Sequence, residues 1–126
     1  MIVDADAVLL ATPVYRATYT GALKNLLDLT PVGSLSGKAC GIIAMGAGDH
    51  HYLGVDSQLR GVLAWFGALV APNSVYLTSA DFTNGEPSDA ALGEVRELLR
   101  SVLTMQIAFR QLSHPLGPPP LASRRG

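Results

Sequence analysis

Short apolar runs closed by glycine, proline or small polar residues occur three times along the chain: AVLLA at 7–11, ACGIIAM at 39–45 and SVYLTSA at 74–80. Runs of this length predict strands buried on both faces, as in a parallel sheet. Elsewhere the apolar positions step by three and four, the helical period. Leu23, Leu26 and Leu27 mark a helix over about 19–29, and Val55, Leu59, Val62, Leu63 and Phe66 mark one over about 55–67. The longest runs through Val95, Leu98, Leu99, Val102 and Leu103 toward Phe109, after a cap at Ser88 or Asp89. Strand, helix, strand, helix, strand, helix predicts an α/β fold with right-handed parallel crossovers. Three strands are fewer than the five or six of a doubly wound sheet, and the first begins almost at Met1, so the pattern enters such a fold partway through. From His114 the pattern stops. HPLGPPPLASRR cannot continue a helix and reads as an ordered arm or a loose end, dividing the chain into residues 1–113 and a Pro/Gly-rich tail, 114–126.

Composition adds exclusions. With 126 residues, 48% hydrophobic and 15% charged, the chain is sized for one globular domain. A formal net charge of −1 gives no basic field for nucleic acid or an anionic membrane, so neither is an expected partner. No apolar run approaches the ~18 residues that span a bilayer. Asp4 and Asp6 stand where a signal peptide needs positive charge, which points to the cytoplasm. The single cysteine, Cys40, has no partner for an internal disulfide and lies in the apolar run ACGIIAM, as expected for a buried structural thiol in a reducing compartment.

Candidate chemistry lies after the first two strands. In ATPVYRATYTGALKNLLDL, Ala11 to Leu29, Pro13 fixes the backbone where the strand ends, and Tyr15 and Tyr19 offer aromatic surface. A planar ring with hydrogen-bonding edges, such as an isoalloxazine, suits that surface; equally, an ordinary strand-to-helix connection with its tyrosines on the core satisfies the spacing. The second loop, MGAGDHHYLGVD from Met45 to Asp56, has Gly46 and Gly48 for close backbone approach and Asp49, His50 and His51 as polar groups. Loops after adjacent parallel strands converge on one edge of the sheet, so both can touch one ligand. Adjacent histidines without further ligands do not make a metal site. A serine-nucleophile elbow, paired thiols and a Gly-x-x-x-x-Gly-Lys phosphate loop are all absent from the 126 residues, so chemistry here would come from a cofactor.

Taken in order, ADAVLLATPVYRATYTGALKNLLDLTP, then LSGK, then a glycine-bearing loop with His51, Asp56, Leu59 and Arg60 closely resemble the NADPH-dependent FMN reductases, nearest their alkanesulfonate-linked branch. The resemblance covers roughly residues 4–80. It implies a flavodoxin-like doubly wound parallel sheet of order 2-1-3-4-5, of which this chain would supply the carboxyl-terminal three strands and helices. It also implies hydride transfer from NADPH to FMN, supplying reduced flavin to a monooxygenase, and assembly as a homodimer or homotetramer. By resemblance Pro13, Val14, Tyr15 and Arg16 line the flavin ring, and Met45, Gly46, Ala47 and Gly48 approach its other side. Two features depart from the family. The Gly-Ser-Pro-Arg type loop that holds the FMN phosphate is missing from these residues, so the expectation is an amino-terminally truncated reductase. Ser57 stands where sulfonate-linked members often carry an aromatic residue. Two alternatives stay open: a non-catalytic flavodoxin-like remnant acting as an oligomerising scaffold, and a quinone or azo reductase on the same fold.

Overall fold

The structure is a computed structural model that describes residues 2–49 and 51–123. Its central strand is β3, Ala39–Met45, and the first strand, β1, Ala7–Tyr15, runs parallel to it from Ala7 opposite Ala39 to Pro13 opposite Met45. A two-residue strand, β2, Thr18–Tyr19, folds back antiparallel on the end of β1. On the other side of β3 lie β4, Leu69–Val70, and β5, Val75–Leu77, both parallel to it. These two are one strand line interrupted at 71–74, where the chain spends more residues than β3 does opposite. Pro72 has no N–H for the ladder, so pairing breaks there. The predicted strand at 74–80 is correspondingly shorter. It stops at Leu77 because the Thr78 side chain accepts from Ala80 N–H and Asp81 accepts from the Thr78 N–H, closing a capped turn.

Helix α1, Gly21–Asp28, starts at a Thr20 cap whose hydroxyl accepts from Leu23 N–H at 3.2 Å. With α2, Tyr52–Trp65, it covers one face of the sheet. Leu23, Leu27, Leu59, Leu63 and Phe66 meet Leu10, Cys40 and Ile42 there. Helix α3, Asp89–Arg110, covers the other face with Leu98 and Val102 against Ala39, Ala71, Val75 and Leu77. Its cap is Ser88, which accepts from Ala91 N–H at 3.1 Å. Successive residues of β3 serve opposite layers, as the two-residue period of a strand requires.

The expected double burial holds for β3 from Ala39 to Ala44, with Met45 exposed at its end, but not for β1. Leu10 and Thr12 are buried, whereas Leu9, Ala11 and Pro13 are exposed. The reason is geometric: α3 lies over β3, and on the outer side of β1 the described residues supply only β2, which pairs with Val14 and Tyr15 alone. Leu26 also departs from the expected apolar stripe of its helix and is 49% exposed.

A hairpin that the apolar pattern does not show joins β6, Phe82–Thr83, to β7, Glu86–Pro87, through left-handed Asn84 and Gly85. The described part of the tail ends in a turn at Leu121–Ser123, with Pro120 packed over Gly67. Residues 124–126 of the predicted tail lie outside the described residues. Among the described residues no helix is long and apolar enough to cross a membrane.

Candidate functional site at the carboxyl ends of two parallel strands

Because Pro13 pairs with Met45, both strands reach the sheet edge at the same level, and the segment after each one overhangs that edge. The first segment is not the open loop that the sequence suggested. β1 continues through Val14 and Tyr15, turns at Arg16 and Ala17, and returns with Val14 opposite Tyr19 and Tyr15 opposite Thr18. Arg16 and Ala17 have φ of 53° and 65°, the left-handed pair that a two-residue hairpin turn demands and that Asn or Gly ordinarily supplies. Two non-glycine residues held there cost about 1–3 kcal/mol each, so the surroundings must hold the turn.

Three contacts do so. The Ala17 carbonyl lies so close to Gly54 of α2 that any Cβ there would collide with its oxygen and sit 3.3 Å from its carbon. Thr18 Oγ1 donates to Gln58 Oε1 at 2.5 Å. Beneath the hairpin, the buried Thr12 hydroxyl accepts from Thr20 N–H at 3.1 Å and donates to the Pro13 carbonyl at 2.9 Å, tying the strand end to the start of α1. The two tyrosines consequently part company. Tyr19 packs against the core, while Tyr15 is 65% exposed. Arg16 is exposed at the tip of the turn, Pro13 is exposed and Val14 half-buried.

In the second segment Met45 and Ala47 are exposed and Gly46 and Gly48 half-buried. Gly46 N–H donates to the Leu77 carbonyl at 3.0 Å, which extends the β3–β5 pairing by one residue, and the Tyr76 hydroxyl donates to the Gly48 carbonyl at 2.6 Å. The eight residues singled out by resemblance thus fall on two neighbouring segments at one edge. His51 is the residue before α2 and makes no side-chain cap; His50 lies outside the described residues. No three His, Cys, Asp or Glu side chains among the described residues gather as a metal site.

Behind the edge, Asp56 and Arg60 of α2 pin the interruption between β4 and β5. Arg60 Nε donates to Asp56 Oδ2 at 2.8 Å, and its other nitrogens donate to the Ala71 carbonyl at 2.8 Å, the Pro72 carbonyl at 3.1 Å and Ser74 Oγ at 3.2 Å. Ser74 in turn donates to Asp56 Oδ1. Carbonyls freed by the broken ladder therefore find donors in one guanidinium. Burial raises the Asp56 pKa, but hydrogen bonds from Arg60 and Ser74, with the Arg60 charge, outweigh it and hold the carboxyl below the ordinary value. Elsewhere burial pushes the Cys40 thiol up to about 11, so it stays protonated and inert near neutral pH.

Thr12, Gly54 and Tyr76 shape the site without having stood out in the sequence. For Gly54 a signal was present: a glycine in a helical stretch costs about 1 kcal/mol against alanine, and a close backbone approach is a common reason for one.

The family profile described as NADPH-dependent FMN reductase matches residues 1–83, a stretch that contains both segments. The chain belongs to this family. An NAD(P)H-dependent FAD/FMN reductase of Geobacillus thermodenitrificans is 40% identical over 93 residues, which make up 74% of this chain and 49% of the relative. Among solved structures, the apo form of an NADH:FMN oxidoreductase aligns at 30% identity with a TM-score of 0.68, over 98% of this chain and 63% of its own. An archaeal flavodoxin, 14% identical with a TM-score of 0.62 over 87% of this chain and 69% of its own, shares the fold. The fold class is thus α/β and flavodoxin-like. The chain spans about half the length of the curated relatives it matches.

Proposed function

We propose that the two segments frame the ring of FMN in an NAD(P)H-dependent flavin reductase acting in the cytoplasm, and that the reduced flavin serves a monooxygenase. The observation that carries this reading is the pairing of Pro13 with Met45 beneath a mostly exposed Tyr15. It sets an aromatic side chain, a thioether and glycine-rich backbone along one edge, which is chemistry suited to a flat conjugated ring. FMN bound there would supply the hydride acceptor and NADPH the hydride. The chain's own residues position and shield. Pro13, Val14, Tyr15 and Arg16 would border the ring from the hairpin, and Met45, Gly46, Ala47 and Gly48 from the neighbouring loop. The rate gain would come from these residues positioning the bound groups, an effect that asks for no proton-transferring side chain.

Tyr15→Ala tests the hairpin's role. An exposed side chain away from packing changes stability by within about 0.5 kcal/mol, whereas a lost aromatic contact costs about 0.5–1.5 kcal/mol of binding. In the 126-residue chain extended at its amino terminus by a family-like strand and phosphate loop, the substitution should slow FMN-dependent NADPH oxidation several-fold to about tenfold and leave the melting temperature nearly unchanged. Equal loss of stability and turnover, with flavin affinity unaltered, would assign Tyr15 to packing.

Self-association is part of the same reading. Exposed Val32 and Trp65, with Val62 and Phe66, line a groove of about 600 Å³ between α1 and α2, and Leu29 beside it is 75% exposed. A second copy covering this face would give a homodimer, or a homotetramer by repetition. Light scattering that finds a stable monomer at micromolar concentration would contradict it.

A further inference from the structure

We propose that Tyr76 positions the Met45–Gly48 loop, and that residue 46 is glycine because the Tyr76 hydroxyl occupies the space a side chain would need. Only the functional arm of the test below rests on the flavin reading.

The loop is held at two points by neighbouring β5. Gly46 is fixed through backbone, its N–H donating to the Leu77 carbonyl, and Gly48 through a side chain, its carbonyl accepting from the Tyr76 hydroxyl. Between those points the chain passes directly over the phenol. A Cβ at residue 46 would fall on the hydroxyl oxygen, 3.0 Å from Cζ and 3.4 Å from Cε2. Gly46 is not among the residues with positive φ, so backbone conformation does not call for glycine here; the phenol does. Tyr52, the first residue of α2, sets its ring 5.9 Å from that of Tyr76 at 53°, a tilted aromatic pair. Both ends of the segment linking β3 to α2 therefore lean on one side chain.

The hydrogen bond also sets a direction. A trans peptide is planar, with C=O and N–H on opposite sides. Turning the Gly48 carbonyl toward Tyr76 turns the Asp49 N–H away from it, so the loop presents that donor on its side opposite the phenol. Without the hydroxyl, the Gly48–Asp49 peptide is free to rotate, and the donor loses its fixed aim.

The test uses the ¹⁵N-labelled 126-residue chain and three variants: Tyr76→Phe, Gly46→Ala and the double substitution. Tyr76→Phe keeps the ring and removes only the hydroxyl. Backbone order parameters at Ala47–Asp49 should drop from the rigid range near 0.85 toward 0.6, with α1 and α3 unchanged. FMN affinity, read from amide shifts, should fall about three- to tenfold, as expected for one hydrogen bond. Gly46→Ala should displace the loop at least as far when Tyr76 is present, but add less than about twofold to the affinity loss when combined with Tyr76→Phe, which removes the colliding oxygen. That non-additivity is the signature of direct coupling. Unchanged order parameters in Tyr76→Phe, or additive effects of the two substitutions, would overturn the proposal. A loosened loop with unaltered FMN affinity would uphold the positioning role and instead overturn the flavin reading for this loop.

Discussion

The 126-residue polypeptide is expected to bind FMN several orders of magnitude more weakly than the same polypeptide extended at its amino terminus by a strand and a Gly-Ser-Pro-Arg type loop. It should also show little FMN-dependent NADPH oxidation. By resemblance the two segments at the ends of β1 and β3 border the ring, whereas in doubly wound sites the phosphate is held by backbone N–H groups of the loop after the first strand and by the start of the helix that follows it. Charge-assisted hydrogen bonds contribute about 1.5–3 kcal/mol each, and each 1.4 kcal/mol is a factor of ten in affinity. The sheet itself offers a place for the extension. Among the described residues, the outer edge of β1 is paired only at Val14 and Tyr15. Leu9 beside it is 38% exposed, and Leu99 and Leu103 of α3 are 41% and 49% exposed. An added strand would pair that edge and its helix would cover this apolar surface. Fluorescence titration of FMN, together with loss of nicotinamide absorbance, reads both effects. Tight binding and brisk turnover by the unextended polypeptide would show that the ring-bordering segments suffice.

Arg60→Ala is expected to cost about 2–3 kcal/mol of stability, the largest loss from any single substitution behind the site. The guanidinium partners one carboxylate, one hydroxyl and two carbonyls, and its removal leaves a partly buried Asp56 without its counter-charge. Both side chains are 27% exposed, so solvent screening holds the figure below that of a fully buried pair. The loss should spread to β5 and loosen the loop that Tyr76 holds, giving weaker flavin binding as well as a lower melting temperature. Acid should act on the same cluster. A carboxyl whose folded pKa lies below its unfolded value contributes stability that is present above the ordinary value of 3.8 and disappears as pH falls through the folded one. The melting temperature of the native chain should therefore fall more steeply below about pH 4 than that of Asp56→Asn. Parallel acid profiles for the two would remove Asp56 from the account of stability, and an Arg60→Ala variant as stable as the native chain would remove the pin.

What could be read from the sequence depended on coverage. β3 is flanked by packed neighbours through Ala44, so its apolar run states its role directly, whereas the run along α3 mixes buried Leu98 and Val102 with exposed Leu99 and Leu103. β1 is covered on one face only, and AVLLA alone does not show that Leu9 and Ala11 lie open. The hairpin at Arg16 and Ala17 carries no turn residue, because contacts from Gly54, Thr18 and Thr12 impose its left-handed geometry. By contrast, Asn84-Gly85 is turn chemistry carried by the sequence itself, and the reading from apolar runs passed over the β6–β7 hairpin that it closes. The break at 71–74 was marked by Pro72, although SVYLTSA after it reads as a longer strand than the three residues that pair. That the two candidate segments share an edge was legible, since adjacent parallel strands end together. Tyr76 and Thr12 were not, because they act through space on residues 28 and 8 positions away. Arg60 was visible within a family-like motif, but its role as a clasp on Ala71 and Pro72 appears only in three dimensions.

The most direct measurement is an amide-resolved NMR titration of the 126-residue polypeptide with lumiflavin, which has the isoalloxazine ring without ribityl phosphate, run beside FMN. If the segments border the ring, both ligands should shift the amides of Val14, Tyr15, Arg16, Gly46, Ala47 and Gly48 in the same pattern and at similar concentrations, since the proposal assigns these residues to the ring and not to the phosphate. Shifts confined to the groove between α1 and α2, or none at either segment up to saturating lumiflavin, would contradict the assignment of the flavin to the ends of β1 and β3.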